Sequence, residues 1–341
     1  NYFDLDKDRI FKELKEVFGE FDDFIAKLTK IVTQIGKSFE RVAARPDLFF
    51  EYLYDLPDDQ FCYGLRAENN KSMMVSHYEL HNAALFHFEG QAYRIKEVLE
   101  TFHASVLFSA TIGNVEIFKR GLGLEFADFF SSSKFNTDNF KVILKRDVSS
   151  LYKNRKDTAP KIVDDVNFCK KTAGGVLLAL PSKATSFDIV PHVQAKSLDV
   201  VDKCKDEVYY AILSGKSSRG INKAHNLNIV YVYGLQLPQP TDYLFQKRRD
   251  FMLKKYDREI AYKFLYSNVV SKACQVAGRI FRKRGKKGLV VFADSRYRWD
   301  YMQRDFFYNC FPAYFKDRII ETNTQKDFQN FVSSFWGKLV L

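Results

Sequence analysis

The chain has 341 residues, 46% of them hydrophobic, and its 33 Phe and 19 Tyr supply enough apolar surface for the cores of two domains. Lys and Arg outnumber Asp and Glu by 53 to 42, a formal charge of +11 that favours an acidic polymer as partner and disfavours a basic one. No apolar run approaches the ~18 residues of a membrane span and no charged-then-apolar leader opens the sequence, so the expected setting is cytoplasmic in a prokaryote or nuclear in a eukaryote, with no membrane partner.

In chain order, apolar residues first fall at Ile10, Leu14, Val17, Phe21, Phe24, Leu28, Ile31 and Ile35, a 4-3-4-3 spacing that predicts one long helix with a single seam. Asp4 and Asp6 are its candidate caps, and Pro46 bounds it. An ordinary bundle or dimer helix would carry the same seam. From Ser72 the pattern shortens to strand-like runs at 73–78 and 84–88, a helix over 92–101 and an apolar strand, Val106 to Phe108, expected to be buried. Beyond Phe135 the alternation restarts. Strands are predicted near 141–144, 176–180, 208–213, 229–233 and 289–292, with helices near 161–172, 184–192, 243–255, 269–284 and 299–308. Strands that alternate with helices imply a parallel, doubly wound sheet. The divisions expected are a helical segment over 1–60, an α/β piece over 61–130 and a second α/β domain over 131–341, with Ser131-Ser-Ser133 as hinge. Five cysteines, Cys62, Cys169, Cys204, Cys274 and Cys310, form no close pair and no zinc or iron–sulfur spacing, and are expected to be core thiols.

Four short segments carry chemistry. Ser109-Ala110-Thr111 follows the strand at 106–108, placing small hydroxyl side chains at a carboxyl end, where α/β sheets bind ligands. Ser182 and Lys183 follow Leu180 at another such end and offer a hydroxyl and an ammonium to a phosphate. Gly215, Lys216, Ser217, Ser218 and Gly220 make a donor-rich turn able to bring backbone N–H groups close to phosphate oxygens, with Asn222 just beyond. Gln275-Val-Ala-Gly278-Arg279-Ile-Phe281-Arg282 sets two arginines three apart, which on a helix aims both guanidiniums from one face. Either a polyphosphate or bulk water suits that face. Between Ser271 and Arg318 twelve Lys or Arg stand against four Asp, a net of +8 that suits a phosphate backbone. Solubility alone would explain the lysines from Lys283 to Lys287.

In this order the four segments resemble motifs III, IV, V and VI of superfamily 2 helicases. Val148-Ser-Ser-Leu-Tyr152, Gly234-Leu-Gln-Leu-Pro238-Gln-Pro240 and Val290-Val-Phe-Ala-Asp294-Ser-Arg296 look like connecting segments of the XPD/DinG branch, over roughly residues 65–300. The resemblance implies a RecA-like motor domain preceded by a long helix, the end of an arch-type insertion, and by the end of a first motor domain. It implies ATP with magnesium in a cleft between two motors, Arg282 as arginine finger, Arg279 as a second γ-phosphate contact and Gln275 as an orienting group. Gly220 and Asn222 would meet ATP, Ser109, Ala110 and Thr111 would couple the domains, and Ser182, Lys183, Gly215, Lys216, Ser217 and Ser218 would meet single-stranded DNA. Family members usually carry an acidic residue where Arg219 stands, and Gly where Ala110 stands.

A phosphate loop of Gly-x-x-x-x-Gly-Lys-Ser/Thr type is absent. Gly36-Lys37-Ser38 has Ile31 in place of the first glycine, and Gly215-Lys216-Ser217 has Tyr210. Asp206-Glu207 precedes a strand, where a magnesium box should follow one. The expectation is therefore a carboxyl-terminal helicase half with no magnesium or iron–sulfur ligands of its own, with a missing amino-terminal motor half, single-stranded DNA and a repair or transcription complex as candidate partners. A non-catalytic, helicase-derived nucleic-acid-binding or protein-interaction subunit is the alternative.

Overall fold

A computed structural model of the chain describes residues 2–5, 12, 16, 63–66, 96, 98–108, 114–124, 127–130, 139–201, 203–215, 227–278, 286–298 and 305–337. They belong to two compact units, one of Asn1–Ala104, Gly121–Gly123 and Pro240–Ala261, the other of Ser105–Arg120, Leu124–Gln239 and Tyr262–Leu341. In the first unit, β1 (Tyr2–Leu5) pairs antiparallel with β2 (Tyr63–Arg66), Tyr2 facing Arg66. Asp4 therefore lies in a strand opposite Gly64 and caps no helix. Lys12 and Glu16 are helical, exposed and 3.9 Å apart as an i,i+4 pair. The rest of the predicted 10–35 helix and the predicted strands at 73–78 and 84–88 lie outside the described residues. The helix expected over 92–101 is present at Lys96 and 98–100, ending in a turn at Thr101. A further helix, Tyr243–Lys255, starts where Asp242 accepts the Phe245 N–H at 2.8 Å.

The second unit is built on β3 (Phe140–Lys145), β4 (Val176–Leu180), β5 (Lys196–Ser197), β6 (Val208–Ile212), β7 (Ile229–Tyr233), β8 (Gly288–Ala293) and β9 (Ile319–Thr322). Their order is β5-β6-β4-β7-β8-β3-β9, and every pairing is parallel. Parallel strands need crossover helices that cover both faces, so their sequences read as unbroken apolar runs. Val176–Leu180 and Ile229–Tyr233 are accordingly buried at every position. Helices whose bounds fall among the described residues are α1 (Val115–Gly121), α2 (Arg155–Ala173), α3 (Lys183–Val193), α4 (Tyr243–Lys255), α5 (Arg258–Ala277), α6 (Phe306–Asn309), α7 (Ala313–Lys316) and α8 (Gln325–Trp336). Among the described residues no helix is long and apolar enough to cross a membrane. Cys169, Cys204, Cys274 and Cys310 are buried and form no disulfide; burial pushes the Cys310 thiol up to about 11.

Several boundaries differ from the sequence reading. The run Val106–Phe108 is no buried strand: among the described residues it pairs with no other segment, and it exposes Val106 at 84% and Phe108 at 94%. An apolar run becomes a strand only where a neighbour takes up its backbone groups, and the seven-stranded sheet ends at β5 and β9 without it. Helix α2 starts six residues before the predicted 161, with Pro160 inside it. Pro160 and Lys156 are both exposed, so the carbonyl that loses its helical donor faces water. Helix α5 starts at Arg258 rather than 269, because Asp257 accepts the Ile260 N–H at 3.0 Å and begins a first turn there. Of the helix predicted over 299–308 only α6 falls among described residues. Strands β5 and β9 and helix α8 extend the unit beyond what the sequence reading contained.

One buried polar network ties four elements of this unit together. Lys145, fully buried at the end of β3, places Nζ 2.7 Å from Asp147 Oδ1, 2.9 Å from Gln325 Oε1 and 3.5 Å from Asp165 Oδ2. Phe328 of α8 lies under the same ammonium, 5.0 Å from its ring centroid. Asp165, on α2, accepts from the Tyr231 hydroxyl of β7 at 2.5 Å and from Gln325 Nε2 at 2.6 Å. Unpaired, each buried charge would cost several kcal/mol; here each has partners. Burial pushes the Asp165 carboxyl up to about 6, against the pull of the Lys145 ammonium and the two donors. The folded state then holds the proton more tightly than the unfolded chain, whose carboxyl titrates near its ordinary value. The Asp165 contribution is complete below about pH 4 and is lost as pH rises through about 6, a change on the order of 3 kcal/mol. Urea unfolding of wild type and Asp165→Asn at pH 4, 5, 6 and 7 should show the wild-type-minus-variant difference falling by that order. A flat difference would mean that Asp165 is ionised throughout.

Candidate functional site

Because all seven strands run the same way, their carboxyl ends share one edge of the sheet. The connection from β4 leads to β5 and β6 on one side, and that from β7 leads to β8 on the other. Neighbouring strands whose connections diverge open a crevice outside their carboxyl ends, the usual ligand position of open α/β sheets. Here that crevice lies between Leu180 of β4 and Tyr233 of β7.

A carboxylate clasp frames it. Asp294, directly after β8, accepts the Ser150 N–H at 3.0 Å and the Ser150 hydroxyl at 2.7 Å. It also accepts the Arg296 N–H and Nε at 3.0 Å each and a terminal guanidinium nitrogen at 2.8 Å. The same Arg296 group donates to Ser150 Oγ at 2.6 Å, and Ser295 N–H donates to Val148 O at 2.9 Å. Charge-assisted bonds on both carboxylate oxygens make this a strong lock between the ends of β3 and β8. The loop after β7 joins through Tyr297, whose hydroxyl donates to Gly234 O at 3.2 Å; burial holds that phenol well above its ordinary range, so it stays a donor. Gly234 adopts φ +79°, and a Cβ there would stand 2.5 Å from Ser150 Cβ and 3.5 Å from Pro181 Cγ. The glycine is what lets three loops close on one another.

The motif residues fall around this frame unequally. Ser182 caps α3: its Oγ accepts the Thr185 N–H at 3.2 Å and lies 3.0 Å from Thr185 Oγ1. Lys183 opens α3 and is exposed. Gly215 ends the turn after β6, its N–H donating to Ile212 O at 2.8 Å. Since Leu180 pairs with Ile212 and Leu213 N–H donates to Leu180 O, Ser182, Lys183 and Gly215 belong to adjacent strand ends. Gln275 is exposed in the last turn of α5. A crossover helix returns from the carboxyl to the amino edge, so that turn lies on the side from which β8 starts, away from the other three. On that amino edge Lys286 donates to Leu227 O at 2.5 Å, and Lys287 stands over the rings of Phe335 and Trp336 at 4.6 and 5.3 Å. Ser109, Ala110, Thr111, Lys216, Ser217, Ser218, Gly220, Asn222, Arg279 and Arg282 lie outside the described residues. Among the described residues no three His, Cys, Asp or Glu gather as metal ligands.

In the sequence, Ser150, Gly234, Asp294 and Arg296 stand out only as members of connecting segments, and the clasp they form is not legible there. The available signal was a glycine directly after the five-residue apolar run of β7.

Residues 192–313 match the family model of the helicase C-terminal domain. No curated protein sequence matches the chain. Among solved structures the chain is similar to XPD in the apo form, with TM-score 0.50 and 17% identity over 68% of this chain and 51% of that one. It is also similar to an XPD helicase, at TM-score 0.49 and 17% identity over 68% and 45%, and to Xpd4 of S. tokodaii, at 0.40 and 15% over 55% and 39%. The chain thus spans about half the length of the XPD structures it matches. The seven-stranded parallel sheet is α/β of the RecA-like kind, as the motif order implied.

Gly234→Ala should lower unfolding free energy by well over 2 kcal/mol, since it adds a close approach to a left-handed backbone. Gly337→Ala is the control, with φ +67° but no described atom within 4 Å of its added Cβ, and should cost about 1 kcal/mol. Equal losses in chemical denaturation would remove the clasp as the reason for Gly234.

Proposed function

We propose that this chain is the carboxyl-terminal half of an ATP-dependent DNA helicase of the XPD/DinG type. It would supply the arginine side of the ATP site and part of the single-strand track. The observation that carries the reading is the extent of the helicase C-terminal domain match: residues 192–313 span both the segment 215–222 and the segment 275–282.

ATP is the substrate in this reading, bound with magnesium mainly by the other motor half. Arg282 and Arg279 would reach the γ-phosphate, with Gln275 orienting one of them. A guanidinium keeps its charge at any working pH and meets phosphate oxygens bidentately, so it stabilises charge developing on a transferred phosphoryl group. On the carboxyl edge, Lys183 and the Gly215 turn would hold strand phosphates, and the Asp294 clasp would keep the adjoining loops from shifting as the cleft opens and closes.

The chain alone is expected to hydrolyse ATP no faster than background, and addition of the amino-terminal half to give DNA-stimulated turnover. In that joined enzyme Arg282→Ala should lower turnover by about 10³-fold while DNA affinity stays nearly unchanged, and Arg282→Lys should not restore it. Weakened DNA binding with turnover intact at saturating DNA would instead put Arg282 on the nucleic-acid face.

A further inference from the structure

Two aromatic side chains stand in solvent at the carboxyl edge. Tyr152 is 86% exposed and Phe187 76% exposed. Tyr152 opens the 3₁₀ turn Tyr152–Asn154, which follows the end of β3 and runs directly into α2. Phe187 lies in the second turn of α3, which follows the end of β4. Helices α2 and α3 pack against one another, and Tyr152 and Phe187 both lie toward the amino-terminal ends of that pair. Neither ring belongs to the core. The core contacts of these helices come from residues such as Ile162, Val166, Ile189 and Val193.

The surroundings say what fits. The Arg155 guanidinium lies 5.5 Å from the Tyr152 ring centroid, steadying the ring from one side while most of its surface stays open. Lys153, Lys156 and Lys183 are exposed on these same elements, against Asp157 and Asp188. Flat open rings set among excess cations are the combination that binds a single strand, with bases on the rings and phosphates on the ammonium groups. A buried protein interface would instead deplete lysine.

We propose that Tyr152 and Phe187 form a base-stacking platform for single-stranded DNA, beside the phosphate contact of Lys183. This rests on the strand track proposed above and names the side chains that would hold its bases. Because stacking is not ionic, it separates from phosphate binding by salt dependence.

The test is fluorescence anisotropy of the purified chain with a short oligothymidine across a salt series, repeated with an abasic strand of equal length. Tyr152→Ala and Phe187→Ala, at exposed positions that leave the core intact, should each weaken oligothymidine binding at least about fivefold without changing the salt slope. Tyr152→Phe should keep wild-type affinity, and the abasic strand should bind wild type and the alanine variants alike. Lys183→Ala should reduce the slope by about 0.7. If Lys183→Ala lowers the slope while the ring variants bind normally, the platform is overturned and the track stands. If Lys183→Ala and the ring variants all bind oligothymidine as wild type does, both fall. Equal weakening toward the abasic strand would overturn stacking.

Discussion

Parallel pairing of all seven strands is the constraint on which the rest of this structure depends. A parallel ladder cannot be closed by tight hairpins, so every strand must be followed by a crossover, and every crossover leaves from the same edge. That geometry lines the ends of β3, β4, β6, β7 and β8 along one edge although they are widely separated in sequence. It also forces both faces under helices, which is why the central strands carry apolar residues at every position. The sheet supplies the site by topology before any side chain contributes.

Side chains then fix the loops that the topology brings together. Asp294 and Ser150 lie 144 residues apart in sequence, yet their hydrogen bonds join the exits of β3 and β8. Gly234 admits the exit of β7 into the same space because it has no Cβ to collide with Ser150. A second lock, Lys145 with Asp165 and Gln325, ties β3 to α2 and α8 beneath. Buried charge is a costly way to hold a fold, but its directional bonds fix one arrangement, as loops that must hold ligand groups in register require. Neither lock occupies Lys183, which remains exposed.

Much of this was legible in the sequence, for identifiable reasons. Strands β4 and β7 are five-residue apolar runs bounded by glycine and polar residues, and helix α4 follows an aspartate cap, so local patterns suffice for all three. The same logic misread Val106–Phe108, because an apolar run looks alike whether or not another strand pairs with it. Strand β9 contributes only Ile319 and Ile320 as apolar residues, too few to show a period. Lys145 read as the charged exit of a strand. It is buried because Gln325, 180 residues on, and Asp165 complete its coordination, which no local window contains. Among the motif residues, strand-end position was legible for Ser182, Lys183 and Gly215, but that Ser182 spends its hydroxyl on capping α3 depends on the helix it starts.

We propose that the carboxyl edge of this sheet is the nucleic-acid face and that the segments 227–229 and 286–288 on the amino edge take no part in binding the strand. Amide hydrogen exchange of the purified chain with and without saturating oligothymidine reads both edges at once. The account predicts slower exchange at 150–156 and 181–187 on binding, with 227–229 and 286–288 unchanged. Protection confined to 227–229 and 286–288 would contradict it and turn the molecule over.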